Sequence, residues 1–166
     1  VSGWVAVKVR YLDASALVKI LVDEGDRQRI REFFYSNPNF CTTSLCFAEA
    51  LGILKGKWEH KHLSDAEYHR AARTLIIDVW GQRIEMDDVG IVNPSVHAEV
   101  EAVAKKHALG LSDALQLVTI LRGKYSVLDR DSASVLITAD AKLAAAATAE
   151  GIRVWNCIKE LAPAWA

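Results

Sequence analysis

At 166 residues the chain is long enough to bury a sizeable core and reads as a single domain over residues 1–166. Lys+Arg total 20 against 21 Asp+Glu, a net charge of -1, so the broad basic footprint of an electrostatic nucleic-acid binder is absent at whole-chain level. Any contact with nucleic acid must then be local, or assisted by metal ions. Cys41, Cys46 and Cys157 are odd in number and match neither a zinc nor a redox spacing, so they read as reduced core residues of a cytoplasmic protein. The apolar run near the N-terminus carries Lys8 and Arg10 and is too short to span a membrane. It has no charged lead and no cleavage site, so neither a signal peptide nor membrane attachment is expected. Val1–Gly3 carries no weight in the reading.

Val5, Val7, Val9 and Tyr11 alternate with Ala6, Lys8, Arg10 and Leu12, which predicts a strand. Asp13 ends it, and Ala14, Leu17, Val18 and Leu21 then recur at helical spacing. Asp13 therefore sits at a strand-to-helix turn, the edge at which open α/β sheets bind ligands. A plain N-cap, worth about 0.5–2 kcal/mol, explains it equally well. Asp23–Asp26 with Gly25 predicts a turn. Ile30, Phe33 and Phe34 mark a second helix that stops before Pro38, because the residue preceding a proline avoids helical geometry. Phe40–Thr43 reads as a short strand. Ser44 is expected to cap the next helix, Leu45 to about Trp58, in which Glu49 lies among Phe47, Ala48, Ala50 and Leu51. That carboxylate either faces solvent from an amphipathic stripe or serves a site.

Ser64-Asp-Ala-Glu67 is a capping box and opens a helix running to about Trp80, broken by Gly81. Ile84, Met86 and Val89 suggest a short strand. Asn93-Pro94 is an N-cap with proline at the first helical position, and that helix is expected to end near Gly110 as its C-cap. Leu111-Ser-Asp-Ala-Leu115 opens another helix, ending near Gly123, with Asp113 in its first turn. An acid there is favoured by the helix dipole alone, by about 0.3–1 kcal/mol. Tyr125–Ala133 is polar and irregular. Val135–Thr138 predicts a buried strand, Leu143–Ala149 a helix ended by Gly151, and Ile152–Trp155 a last strand. Asp140 repeats the placement of Asp13. Strands alternating with helices predict a mainly parallel sheet with helices on both faces. The apolar C-terminal segment Leu161–Trp165 either packs on the body or frames a partner site.

If the strands before Asp13 and Asp140 are neighbours, those carboxylates approach each other, and Asp113 and Glu49 could close the set. Four uncompensated carboxylates raise one another's pKa, a penalty that a divalent cation removes. All-oxygen ligation suits Mg²⁺ or Mn²⁺ rather than zinc, and such ions support in-line hydrolysis of a phosphodiester.

Tyr11-Leu-Asp13-Ala-Ser15-Ala-Leu, Ser44 followed by Ala48-Glu49, Leu111-Ser-Asp113-Ala-Leu and Ile137-Thr138-Ala-Asp140 together resemble the ordered signature of PIN-domain nucleases. The likeness runs from about Val5 to Trp155, and the group it most resembles is the VapC-type toxins of prokaryotic toxin–antitoxin pairs. It implies a three-layer α/β fold with a five-stranded parallel sheet and a Mg²⁺- or Mn²⁺-dependent endoribonuclease acting on RNA. It also implies a cognate antitoxin, and we expect a homodimer. By the same resemblance, Asp13, Glu49, Asp113 and Asp140 form the acidic, metal-binding pocket, and Ser15 and Thr138 are its hydroxyl support. Tyr125–Ser134 lengthens the interval before Asp140 beyond the usual, which leaves Asp129 and Asp131 as outside candidates.

Rival readings fare less well. A receiver-type phosphoacceptor wants adjacent acids after its first strand, and a haloacid-dehalogenase-type phosphatase wants Asp-x-Asp where this chain has Asp13-Ala14-Ser15. Another acid-cluster phosphohydrolase and a PIN-like binding module without nuclease activity stay open. Lys55–His62 mixes bases with Trp58 as an RNA patch might. The cations there, like Lys105-Lys106-His107 and Arg122-Gly-Lys124, also suit helix C-termini.

Overall fold

The computed structural model describes residues 6–25, 27–128 and 132–166, except the side chain of Trp80. The expectations at Val1–Val5, Asp26, Asp129 and Asp131 lie outside the described residues. The strands are β1 (Lys8–Leu12), β2 (Phe40–Thr42), β3 (Ile84–Met86), β4 (Ala133–Thr138) and β5 (Arg153–Asn156). The helices are α1 (Ala14–Leu21), α2 (Gln28–Ser36), α3 (Ser44–Glu59), α4 (Asp65–Trp80), α5 (Pro94–His107), α6 (Leu111–Arg122) and α7 (Ala141–Ala149).

All pairings in the five-stranded sheet are parallel, in the order β3-β2-β1-β4-β5. The chain builds outward from β1 through β2 to β3, then returns to the other side of β1 with β4. The order therefore reverses between β1 and β4, and the crevice at their C-terminal ends is a topological switch point. The register aligns Tyr11 with Leu136 and Leu12 with Ile137. Asp13 and Thr138 thus follow side by side.

Alternation along β1 divides the core into two layers. Leu12 faces a cluster with Leu17, Phe34, Leu54, Leu75 and Trp155, which packs α1 to α4 on one side of the sheet. Val9 and Tyr11 face Leu117, Ile120, Leu136, Leu143 and Ala147, which seat α6 and α7 on the other. Val100, Ala104, Leu115 and Val118 join α5 to α6. The result is the three-layer α/β fold expected from the strand–helix alternation.

Some boundaries differ from expectation. Thr43, not Ser44, caps α3: its hydroxyl accepts from the Cys46 N–H at 3.2 Å, while the Ser44 N–H donates to Asp88 at 2.9 Å. Burial of Cys46, Ala50 and Leu54, four residues apart, sets that phase. The C-cap of α5 is Ala108, not Gly110. Ala108 takes a left-handed φ of 51°, and the Leu109 N–H closes back onto the Ala104 carbonyl at 2.9 Å. Gly110 is instead the extended N-cap of α6. β4 begins at Ala133, two residues earlier than its apolar run, because Lys8 on β1 offers a partner there. The Ser64–Glu67 capping box forms as expected.

The C-terminal segment packs on the body. Lys8 Nζ donates to the Ala164 carbonyl at 3.0 Å and Arg10 to that of Ala166 at 3.1 Å. The Arg10 guanidinium also lies over the Phe33 and Phe40 rings.

On the α6 side, the buried Tyr11 hydroxyl donates to the buried Asp87 carboxylate at 2.5 Å. Burial and that carboxylate together push the Tyr11 pKa upward, so the phenol keeps its proton. Tyr11→Phe removes the donor while preserving the ring. It is expected to lower stability by about 1–3 kcal/mol, the cost of an under-satisfied buried acceptor. Urea unfolding measures it, with an unchanged m-value.

Candidate active site

Asp13 is 3% exposed, an unusual position for a carboxylate. It follows the last residue of β1 in extended conformation and caps α1, its Oδ1 accepting from the Ala16 N–H at 2.8 Å. Ser15 Oγ lies 2.9 and 2.7 Å from the two carboxylate oxygens, and Thr138 Oγ1 donates to Oδ2 at 2.9 Å. Those hydroxyls are themselves held. The Ala139 N–H donates to Ser15 Oγ and the Asp140 N–H to Thr138 Oγ1, both at 2.9 Å. Ser15 and Thr138 therefore both hydrogen-bond the Asp13 carboxylate, and they link it to the turn that carries Asp140.

Asp140 is exposed and caps α7, its Oδ1 accepting from the N–H groups of Lys142 at 2.6 Å and Leu143 at 3.0 Å. Asp113 is half-buried in the first turn of α6. Glu49 is exposed on α3 and accepts from the Ser112 hydroxyl at 2.6 Å, which ties it to the residue before Asp113. The four acids thus grade from a buried floor at Asp13 to a solvent-facing rim at Glu49 and Asp140. Tyr125–Ser134 does not disturb this edge. Ser132 bonds Val7 and Ala133 pairs with Lys8, so the described part of the segment lies at the opposite end of the sheet.

The electrostatics couple the acids. Burial, with repulsion from Asp113, pushes the Asp13 carboxyl up to about 6, against the pull of its bonds from Ala16, Ser15 and Thr138. Burial also pushes Asp113 up to about 6, with repulsion from Glu49 and Asp140 added and only Lys142 opposing. Among the described residues none of the four forms an ion pair, and the Lys142 charge offsets only part of the Asp113 shift. Nor do three or more His, Cys, Asp or Glu side chains among them already stand as a metal-holding group. An all-carboxylate set with no ion-paired cation among the described residues fits a hard divalent ion in donor chemistry. The acids are gathered here rather than closed into a coordination shell.

The sequence reading passed over Gln116. It is fully buried in α6, and its Nε2 donates to the Leu12 carbonyl at 2.9 Å, next to Asp13. Its signal was a lone amide inside the otherwise apolar run Ala114–Val118. Several cations of the basic clusters are ion-paired. Lys105 pairs with Glu101, Lys106 and His107 with Glu150, Arg122 with Glu99 and Lys124 with Glu85. Trp58 stacks on Tyr68 at 4.8 Å, and Trp155 is fully buried.

The raised acids set a pH dependence. Asp13 and Asp113 have folded-state pKa values near 6, above the ordinary 3.8, so ionising them opposes folding above pH 6. That penalty disappears as pH falls from about 7 through 6 toward 4. For Asp13, raised from 3.8 to about 6, it is on the order of 3 kcal/mol, since each pKa unit is about 1.4 kcal/mol. In EDTA, Asp13→Asn is therefore expected to raise the melting temperature at pH 7.5, to keep roughly half of this advantage at pH 5 and to lose it below about pH 4. Thermal melts of both proteins across that range check it.

No curated protein matches the chain. The crystal structure of PAE2754 from Pyrobaculum aerophilum is similar in fold, with a TM-score of 0.59 at 20% identity over 92% of this chain and 87% of that one. The PIN domain family profile matches residues 10–148, a span that holds Asp13, Glu49, Asp113 and Asp140. With most of its length matched, this chain belongs to the PIN domain family.

Proposed function

We propose that this chain is a divalent-metal-dependent endoribonuclease, the toxin component of a type II toxin–antitoxin system of the VapC type, acting as one PIN-like domain over residues 1–166. Family membership points to nuclease chemistry. The observation that supports the finer reading is the electrostatic coupling of Asp13 to Asp113 and of Asp113 to Glu49 and Asp140, at the crevice between β1 and β4, with none of the four ion-paired among the described residues. Asp13, Glu49, Asp113 and Asp140 would hold Mg²⁺ or Mn²⁺, which when bound supplies a nucleophilic hydroxide and neutralises charge at phosphorus.

The protein's own groups have distinct parts in this reading. Ser15 and Thr138 orient the Asp13 carboxylate, and the Ser112 hydroxyl orients Glu49. Glu49 and Asp140, at the exposed rim, leave the pocket open to a single-stranded RNA backbone. Three buried free cysteines suit a reducing cytoplasm, and none of the described helices is long and apolar enough to cross a membrane. A homodimer is expected.

Chelation with EDTA is expected to abolish cleavage of single-stranded RNA, and added Mg²⁺ or Mn²⁺ to restore it. Asp13→Asn and Asp113→Asn should each reduce the restored rate by at least about 100-fold, as loss of a ligand to an essential ion does. Full cleavage in EDTA would overturn the metal mechanism. RNA binding without cleavage in any metal would favour the alternative of a binding module, which the unclosed acid shell also accommodates.

The toxin assignment needs a small antitoxin whose amphipathic helix lies in a groove between helices. Co-expression with the adjacent small open reading frame is expected to relieve growth arrest and to co-purify a complex. Unrelieved arrest with no complex would count against that partner.

A further inference from the structure

We propose that Gln116 is a positioning residue for the acid site. Its amide grips the Leu12–Asp13 peptide and so sets Asp13 against the helix that carries Asp113. This inference rests on the reading of the acids as a metal-dependent site.

The grip is visible on both ends of one peptide unit. Its oxygen, the Leu12 carbonyl, accepts from Gln116 Nε2 at 2.9 Å and from Thr42 Oγ1 at 2.8 Å. Its N–H, that of Asp13, donates to the Ile137 carbonyl at 3.3 Å. Three elements, β2, β4 and α6, therefore hold a single plane whose rotation would carry the Asp13 carboxylate with it. Thr42, Gln116 and Thr138 are all fully buried, so water does not compete for these bonds.

Gln116 makes poor sense as packing. Every residue of α6 from Ala114 to Ile120 is buried, and a Leu or Met would fill the Gln116 volume without a polar atom to satisfy. The amide instead leaves its Oε1 buried with no partner among the described residues. An orphaned buried acceptor opposes folding. What the amide provides in exchange is the Leu12 bond. Asp113 and Gln116 are three residues apart, hence on the same face of α6. One helix thus supplies an acid of the pocket and the hold on the strand end that supplies another.

The test compares wild type, Gln116→Met and Thr42→Val in two measurements. The first is calorimetric titration with Mn²⁺ alone, without RNA. The second is amide hydrogen exchange of the metal-free protein by NMR. Gln116→Met is expected to keep a wild-type melting temperature or exceed it. It should also bind Mn²⁺ about tenfold more weakly, the loss typical of residues that orient metal ligands. Exchange should accelerate selectively at the Asp13 and Ala16 amides, with β5 and α2 unchanged. Thr42→Val should act in the same direction, and the double variant should lose less than the sum, because both grip one carbonyl. Wild-type binding together with unaltered affinity and exchange in Gln116→Met would overturn the proposal and leave the metal site standing. Exchange that accelerates equally everywhere would reduce Gln116 to packing and overturn it as well. If wild type itself fails to bind Mn²⁺, the metal reading falls, and the exchange arm alone decides whether Gln116 holds Asp13. If Gln116→Met does not fold, Thr42→Val is read in its place by the same criteria.

Discussion

Burial of the Asp13 carboxylate is the constraint on which the carbonyl edge of the sheet depends. A charged oxygen pair removed from water must recover its hydrogen bonds from protein or remain costly. Ala16, Ser15 and Thr138 supply them, one from the first turn of α1, one from its flank and one from the neighbouring strand. Each donor then dictates something beyond itself. Thr138 can reach Asp13 only if β4 pairs with β1 in the observed register. The same hydroxyl accepts from the Asp140 N–H, so the turn after β4 is placed by the acid that follows β1.

Capping and function do not compete here. Asp13 and Asp140 both cap helices by ordinary geometry, and both also stand at the switch point of a parallel sheet. A strand-to-helix turn needs a short acceptor at its N-cap, and that same turn delivers the side chain to the crevice. Folding would be served as well by Ser or Asn at such a cap. Buried carboxylates bring a desolvation cost, with mutual repulsion added, that their bonds do not cancel, which is why Asp13 and Asp113 are shifted upward rather than downward. Local strain of this kind, held by a rigid frame, belongs to sites whose charge is completed by something bound.

The frame lies away from the acids. Glu85 accepts from Lys124 at 2.6 Å and Tyr125 at 2.8 Å, while Tyr11 meets Asp87 beneath α6. The described part of the long segment before β4 is anchored by Tyr125 to Glu85 and by Ser132 to Val7, just ahead of β1. It can therefore vary in length without moving Asp140, which is set by the other end of the same strand.

The amino-acid sequence by itself determined the alternation of strands and helices, the parallel sheet, and the position of Asp13 and Asp140 after their strands. These follow from local periodicity and capping chemistry, which need no knowledge of neighbours. It also singled out Asp113 and Glu49, but only by order and type. What brings them near the same sheet edge is β4 returning beside β1 and Ser112 reaching across to Glu49. Boundaries escaped the sequence where two residues of like propensity compete, as Thr43 and Ser44 do, and the burial of Cys46 decides the phase. Ala108 was missed because glycine at 110 advertised a helix end, while the closure onto Ala104 came two residues earlier. The Gln116 contact was invisible in the sequence because its partner, the Leu12 carbonyl, is more than 100 residues away in the chain. A backbone acceptor leaves no trace in side-chain pattern, so only the tertiary structure could bring that pair together.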